Sequence, residues 1–136
     1  MIEKISFIHD RTEYLECLED LLNSSEVTPV DIFYKRMKEN NTYEVYVSTL
    51  DEKIVATAAI VYEYKLKYTR PKASIEDVAV RKDYRGMGLG KEIVKYCIDV
   101  AEKKNCYKIA LACSDDLINF YADLGFTKQD NFMVRR

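Results

Sequence analysis

The segment from Ile75 to Lys91 is the feature of this sequence that most restricts its fold, because an apolar strand leads into a glycine-rich loop and then into a helix. Gly86, Gly88 and Gly90 are three of only four glycines in the chain. Glycine has no Cβ, so such a loop lets main-chain N–H groups turn toward a ligand and approach it closely. The N-terminus of the following helix adds unpaired N–H groups and the positive end of its dipole. The segment therefore predicts a binding site for a pyrophosphate.

The spacing of this loop argues against two common phosphate-binding motifs. A P-loop needs four residues between its glycines and a Lys-Ser or Lys-Thr pair, whereas Lys91 is followed by Glu92. A dinucleotide-binding motif has Gly-x-Gly-x-x-Gly, and here the third glycine comes one residue early. What remains is Arg-x-x-Gly-x-Gly, from Arg85 to Gly90, which resembles the acyl-CoA loop of the GNAT superfamily of N-acetyltransferases. An ordinary strand-to-helix turn is the alternative interpretation.

Composition favours one soluble, cytoplasmic domain that spans residues 1–136. The chain is 48% hydrophobic, which is enough for one core, and 136 residues are too few for two ordinary domains. Its net charge of −2 creates no basic field, so neither nucleic acid nor a membrane is expected as a partner. No signal-like segment or membrane-length apolar run is present. Four scattered cysteines and one histidine make a metal site improbable.

Hydrophobic periodicity predicts strands and helices along the whole chain. The predicted strands cover residues 2–8, 43–50, 54–64, 73–80, 107–113 and 126–134. The predicted helices begin at Asp10 and at Thr28 and cover residues 89–104 and 115–124. This order resembles the GNAT superfamily from end to end. The resemblance implies an α/β (α+β) class, an acyl-CoA N-acyltransferase fold, and a mixed, mostly antiparallel sheet of six to seven strands with about four helices.

Three segments resemble the glucosamine-6-phosphate N-acetyltransferases within this superfamily. They are residues 75–80 with Tyr84-Arg85-Gly86, residues 106–109 with Cys113, and Asn119-Phe120-Tyr121 with Gly125-Phe126 and a tail that contains Met133 and Arg136. The resemblance implies transfer of the acetyl group of acetyl-CoA to the amine of D-glucosamine 6-phosphate, on the route to UDP-N-acetylglucosamine. It also implies a homodimer and no metal.

The resemblance assigns acetyl-CoA to two neighbouring segments. Val78, Ala79 and Val80 are expected to pair with the pantetheine arm like an added strand, and Gly86, Met87, Gly88, Leu89, Gly90 and Lys91 to bind the pyrophosphate. Tyr121 is the expected catalytic residue, since its position matches a tyrosine that donates a hydrogen bond or a proton to the departing thiolate. Tyr121 is one of eleven tyrosines, and packing in the core is its alternative role.

The acceptor site needs hydrogen-bond acceptors for an amino sugar and cations for its phosphate. By resemblance, Glu76, Asp77 and the backbone of Val78 bind the sugar. The other expected substrate-binding residues are Lys65, Leu66, Lys67, Tyr68, Tyr107, Lys108 and Arg136, some of which come from the neighbouring subunit in the family. A regular strand would place the carboxylates of Glu76 and Asp77 on opposite faces. A solvated strand face would by itself explain Lys65 and Lys67.

Two positions depart from the family pattern. Ala112 stands where the family has an acidic residue, and Leu117 stands where an asparagine is usual. Proton removal from the amine is therefore left to backbone carbonyls, water, or the carboxylates of Glu76 and Asp77. Three hypotheses stay open: transfer to D-glucosamine 6-phosphate, transfer to another small amine or a protein N-terminus, and a noncatalytic acyl-CoA-binding module.

Overall fold

Five strands form one mixed sheet in the order β1-β2-β3-β4-β5. The computed structural model describes residues 1–4, 32, 35, 36, 39 and 42–136. The strands are β1 (Ile2–Lys4), β2 (Tyr43–Leu50), β3 (Lys53–Glu63), β4 (Lys72–Val80) and β5 (Lys108–Ala110). The helices with described bounds are α1 (Leu89–Lys103) and α2 (Ile118–Ala122), each preceded by a 3₁₀ turn, Lys82–Tyr84 and Asp115–Leu117.

The first four strands are antiparallel neighbours, and β5 pairs with β4 in the parallel sense. The hairpin of β2 and β3 closes through Asp51 and Glu52, both with positive φ, as expected for a two-residue turn that matches strand twist. A parallel pair needs a crossover connection, and α1 supplies it between β4 and β5. The mostly antiparallel sheet predicted from the sequence is confirmed.

Helix α1 packs on one face of the sheet. Its buried residues Ile93, Val94, Cys97 and Ala101 follow helical spacing and meet strand residues such as Ile60. Fully burying an isoleucine or valine side chain stabilises the fold by about 1.5–3 kcal/mol, so this stripe fixes α1 and the loop before it. The other face of the sheet is buried as well, at Val47, Val55, Thr57 and Ala59.

The C-terminal part of the chain differs from the sequence prediction. Residues 126–134 form no strand, since no described strand pairs with them, and Phe132 and Met133 are 80% and 89% exposed. The strand predicted for residues 107–113 is limited to β5 and is not buried, because it lies at the sheet edge. The described sheet therefore has five strands and not six or seven. The helix predicted for residues 115–124 is a 3₁₀ turn followed by α2, and Gly125, with φ 94°, follows shortly after α2.

The N-terminal predictions are only partly covered by the described residues. Strand β1 matches the beginning of the predicted strand 2–8, and the helix predicted to begin at Asp10 lies outside the described residues. Within the second predicted helix, Ile32, Lys35, Arg36 and Glu39 are helical. Among the described residues, no helix is both long and apolar enough to cross a membrane.

Candidate active site

The glycine loop is tied to the ends of β3 and β4 by two arginines. Arg81 donates from its backbone N–H to the carbonyl of Val55 at 2.7 Å and from Nε to the carbonyl of Ile54 at 2.8 Å. Arg85 donates from Nε to the carbonyl of Val80 at 3.2 Å. Hydrogen bonds from both sides of the 3₁₀ turn thus hold the loop against the end of the sheet.

The glycines of the loop have different structural roles. Gly86 and Gly88 have φ values of 81° and 80°, a left-handed conformation that glycine adopts without steric cost. The carbonyl of Gly88 accepts the N–H of Glu92 at 3.0 Å, so Gly88 caps α1. Gly90 has no positive φ, but a Cβ there would lie 3.4 Å from Val80 Cγ2 and 3.7 Å from Phe120 Cζ. The loop is therefore a backbone cradle at the N-terminus of α1, as the sequence indicates.

An open strand edge lies next to this cradle. Strands β4 and β5 pair only from Lys72↔Lys108 to Ser74↔Ala110, and no described strand pairs with the β5-facing edge of β4 beyond that point. The other edge stays paired with β3 through Ala79 and Val80. Val78, Ala79 and Val80 are half-buried along the open edge. Such an edge accepts an extended chain by backbone hydrogen bonds, so edge and cradle together fit a pantetheine arm followed by a pyrophosphate.

Tyr121 is buried near the same end of the sheet. Its ring meets Phe120 edge-on at a centroid distance of 4.9 Å and Phe126 at 6.0 Å, and Phe120 also faces Gly90. Burial, with a smaller contribution from Cys113, raises the pKa of the Tyr121 phenol. The phenol is therefore neutral around pH 7 and able to donate a proton. Core packing and proton donation are both compatible with this position.

The acidic pair Glu76 and Asp77 sits at a β-bulge. Ala59 pairs with Glu76 and Thr57 pairs with Ala79, so two residues of β4 lie opposite the single residue Ala58. Asp77 takes a left-handed conformation with φ 54°. The bulge interrupts the alternation of a regular strand, and the expectation of one carboxylate on each face does not hold.

Both carboxylates act on one tyrosine of β2. The Tyr43 hydroxyl donates to Asp77 Oδ2 at 3.3 Å. Burial and the negative charges of Asp77 and Glu76 raise the pKa of Tyr43 to about 12. Tyr43 is not among the site residues predicted from the sequence, because its proximity to Asp77 depends on the register of three strands and on the bulge. No local signal in the sequence identifies it.

A second cluster joins the loop after β3 to the residues at the start of β5. The rings of Tyr68 and Tyr107 stack at 4.0 Å with an interplanar angle of 24°, and the Tyr107 N–H donates to the carbonyl of Pro71 at 3.0 Å. Lys67 Nζ lies 5.6 Å from the centre of the Tyr68 ring, and Lys108 Nζ lies 5.9 Å from that of Tyr107. The structure thus brings together two of the predicted substrate-binding segments.

The cluster and the cradle lie at opposite ends of β4. Lys72 pairs with Lys108 at the beginning of β4, whereas the cradle follows Val80 at its end. At about 3.3 Å per residue, these ends are roughly 25 Å apart. The distant end of β4 therefore carries the predicted substrate-binding residues Lys65, Leu66, Lys67, Tyr68, Tyr107 and Lys108. Arg136 ends the exposed C-terminal tail.

The described residues contain no group of three or more His, Cys, Asp or Glu side chains arranged to hold a metal ion. Cys97, Cys106 and Cys113 are free thiols, and His9 and Cys17 lie outside the described residues.

The similarity of the chain to known proteins shows which protein family it belongs to. The model of the acetyltransferase (GNAT) family matches residues 10–126, and the chain therefore belongs to this family. The acyl-CoA N-acyltransferase fold expected from the sequence is confirmed. Within the family, the chain is 31% identical to the glucosamine 6-phosphate N-acetyltransferase of Arabidopsis thaliana, over 94% of this chain and 90% of that protein.

Two further comparisons agree with this similarity. A probable glucosamine 6-phosphate N-acetyltransferase of Drosophila melanogaster is 35% identical over 83% of this chain, which spans about half (54%) of that protein. The crystal structure of the Arabidopsis thaliana enzyme superposes with a TM-score of 0.86 at 25% identity, covering 100% of this chain and 97% of that chain. The resemblance to the glucosamine-6-phosphate N-acetyltransferases seen in the sequence is confirmed.

Proposed function

We propose that this chain transfers the acetyl group of acetyl-CoA to the amine of D-glucosamine 6-phosphate, producing N-acetyl-D-glucosamine 6-phosphate and CoA. The observation that carries the proposal is the position of Glu76 and Asp77, two exposed carboxylates on the strand whose open edge leads to the glycine cradle. A hydroxylated amine needs acceptors of this kind close to the thioester. The relatives named above act on this acceptor according to their names.

The acetyl donor supplies an activated carbonyl and a thiolate leaving group. The open edge of Val78 to Val80 orients the donor, and the backbone N–H groups of residues 86–91 meet its pyrophosphate. Glu76 and Asp77 bind the sugar and accept the proton that the amine loses, directly or through water. Glu76 and Asp77 thus take the role of the acidic side chain that the family has at the position of Ala112. Tyr121 donates a proton to the departing sulfur, a step typically worth about 10²–10⁴-fold in rate.

The active unit in this proposal is a homodimer in which each acceptor site combines residues of two chains. Three observations support it. The cationic aromatic cluster of Lys67, Tyr68, Tyr107 and Lys108 lies at the opposite end of β4 from the cradle of its own chain. Strand β5 is an edge of the described sheet. The tail exposes Phe132, Met133 and Val134, large apolar side chains that a second chain would cover.

A panel of amine acceptors tests the proposed activity. The purified chain is incubated with acetyl-CoA and a single amine, and free thiol is followed with a chromogenic disulfide. The proposal expects thiol release with D-glucosamine 6-phosphate and little with glucosamine, a polyamine or a peptide N-terminus. Release only with another amine assigns a different acceptor. Donor binding without thiol release from any amine indicates a noncatalytic module.

A further inference from the structure

We propose that Tyr43 is a positioning residue of the acceptor site, which orients the Asp77 carboxylate toward the amino sugar. The inference rests on the proposed function only in taking Asp77 as an acceptor-binding group. It adds a residue of β2, the strand two positions away from β4 in the sheet.

The geometry links Tyr43 to Asp77 across the whole width of β3. Tyr43 pairs with Val61 on β3, and Val61 pairs with Ser74 on β4, so the register places Tyr43 three residues before the bulge. From there the phenol reaches Asp77 Oδ2 at 3.3 Å. This distance exceeds the value of about 2.7 Å that is typical of O–H···O hydrogen bonds.

The bulge explains why Asp77 needs a partner. Left-handed backbone is uncommon outside glycine, and a short carboxylate side chain at such a position has several rotamers available. A donor on the neighbouring strand restricts the carboxylate to one direction. Because the pair is exposed, the hydrogen bond contributes little to the stability of the fold, and its effect is on the direction of the carboxylate.

Tyr43 is suited to remain a donor throughout the working range of pH. Burial and the nearby carboxylates raise its pKa to about 12, so the phenol keeps its proton at neutral and mildly alkaline pH. The negative charge of Glu76 makes the smallest contribution to this shift. The contact that carries the inference is the hydrogen bond to Asp77.

The test compares Tyr43→Phe with Tyr96→Phe, a matched loss of a hydroxyl from a tyrosine on α1. Steady-state kinetics are measured with D-glucosamine 6-phosphate, or with the best amine of the panel if the unmodified chain does not use that sugar. The expected result for Tyr43→Phe is a five- to twentyfold increase in KM for the acceptor, consistent with about 1–2 kcal/mol. The KM for acetyl-CoA and the melting temperature stay unchanged, and Tyr96→Phe behaves like the unmodified chain.

A double-mutant cycle with Asp77→Asn separates positioning from a direct contact. If Tyr43 acts through Asp77, Tyr43→Phe has little further effect on the KM for the acceptor in the Asp77→Asn chain. The effects of the two substitutions on this KM are then not additive. The proposal is overturned if Tyr43→Phe leaves the KM for the acceptor unchanged, or if it changes the KM values for acceptor and acetyl-CoA equally. It is also overturned if the effects of Tyr43→Phe and Asp77→Asn on the KM for the acceptor are additive, or if no amine is turned over. If the chain uses an amine other than D-glucosamine 6-phosphate, the proposed function is contradicted, but the comparison of Tyr43→Phe with Tyr96→Phe can still be made with that amine.

Discussion

The hydroxyl of Tyr62 donates to the carboxylate of Glu44 at 2.8 Å inside the core between the sheet and α1. Lys4 Nζ donates to the other carboxylate oxygen at 2.9 Å, and Lys104 Nζ lies 4.0 Å from the centre of the Tyr62 ring. These contacts connect β1, β2, β3 and the end of α1. A buried carboxylate is tolerated only when it is paired and hydrogen-bonded, so the network specifies how these elements assemble.

Tyr62→Phe is expected to lower the free energy of unfolding at pH 7 by about 2 kcal/mol, because it removes a donor from a buried charge. Burial acts to raise the pKa of Glu44, but the hydrogen bonds from Lys4 and Tyr62 outweigh it, and the pKa lies below its usual value. A depressed pKa stabilises the fold fully above the unfolded value of about 4.3, and this contribution is lost as the pH falls through the folded value. The difference in the free energy of unfolding between Tyr62→Phe and the unmodified chain should therefore become smaller below about pH 4.

Urea unfolding from pH 3 to pH 8 checks this dependence. Tyr64→Phe is the control, since Tyr64 is 61% exposed and its hydroxyl should matter by less than about 0.5 kcal/mol. A stability difference that stays constant over the whole pH range would show that Tyr62 acts by packing and not through the charge of Glu44.

Tyr121→Phe is expected to lower kcat by about 10²-fold or more and to change the affinity for acetyl-CoA by less than about threefold. The phenylalanine ring keeps the edge-on contacts with Phe120 and Phe126, so the core is conserved and only the proposed proton donor is lost. Steady-state turnover and calorimetric binding of acetyl-CoA measure the two quantities separately. Unchanged turnover would remove the phenol from the mechanism and leave Tyr121 a core residue.

Gly88→Ala and Gly90→Ala should differ in their effects on stability and on the affinity for acetyl-CoA. A side chain at the left-handed Gly88 costs about 1–2 kcal/mol and rotates the peptide that faces the ligand, so acetyl-CoA binding should weaken at least tenfold. Alanine at Gly90 keeps the backbone N–H, meets Val80 and Phe120 at ordinary contact distances, and has higher helix propensity. Its stability and acetyl-CoA affinity should stay close to those of the unmodified chain. Thermal unfolding and calorimetry distinguish the two variants, and equal losses at both positions would contradict these separate roles.

Asp77→Gly is expected to keep or raise stability while acceptor binding is lost. Glycine relieves the left-handed strain of the bulge, worth about 1–2 kcal/mol, against a smaller cost in backbone entropy. If Asp77 binds the amino sugar as proposed, KM for the acceptor should rise at least tenfold, while KM for acetyl-CoA is unchanged. Asp77→Asn, which retains the shape without the charge, is the comparison. If the Asp77→Gly and Asp77→Asn variants both bind the acceptor like the unmodified chain, Asp77 has no role in recognition.

The sequence predicted the elements that depend on local pattern. The strand, glycine loop and helix from Ile75 onward, the hairpin of β2 and β3, and the buried stripe of α1 follow from residue spacing and from backbone requirements of glycine. The family was predicted from the resemblance of these motifs to those of known proteins. The features that sequence reasoning missed depend on long-range pairing. Tyr43 meets Asp77 only through the register of three strands and a bulge, and residues 126–134 have strand composition but no partner strand among the described residues.

Lys108 lies beside the beginning of β4, whereas Tyr121 packs near the glycine loop that follows its end, and this arrangement predicts complementation between chains. Two differently tagged chains, one with Tyr121→Phe and one with Lys108→Ala, are co-expressed, and the mixed dimer is purified through both tags. If each site takes Tyr121 from one chain and Lys108 from the other, one site of the mixed dimer is intact, and about half of the unmodified activity returns although each parent dimer is impaired.

A reversed pair provides the decisive control. In a mixed dimer of the unmodified chain with a chain that carries both substitutions, every shared site lacks one of the two residues, and the activity should stay low. Sites built within single chains give the opposite pattern, because the unmodified chain then keeps one complete site while the two single variants have none. The two dimers contain the same four side chains at these positions, so a difference in activity reports only how those side chains are distributed between the chains. Failure to isolate any doubly tagged species would itself contradict the proposed homodimer.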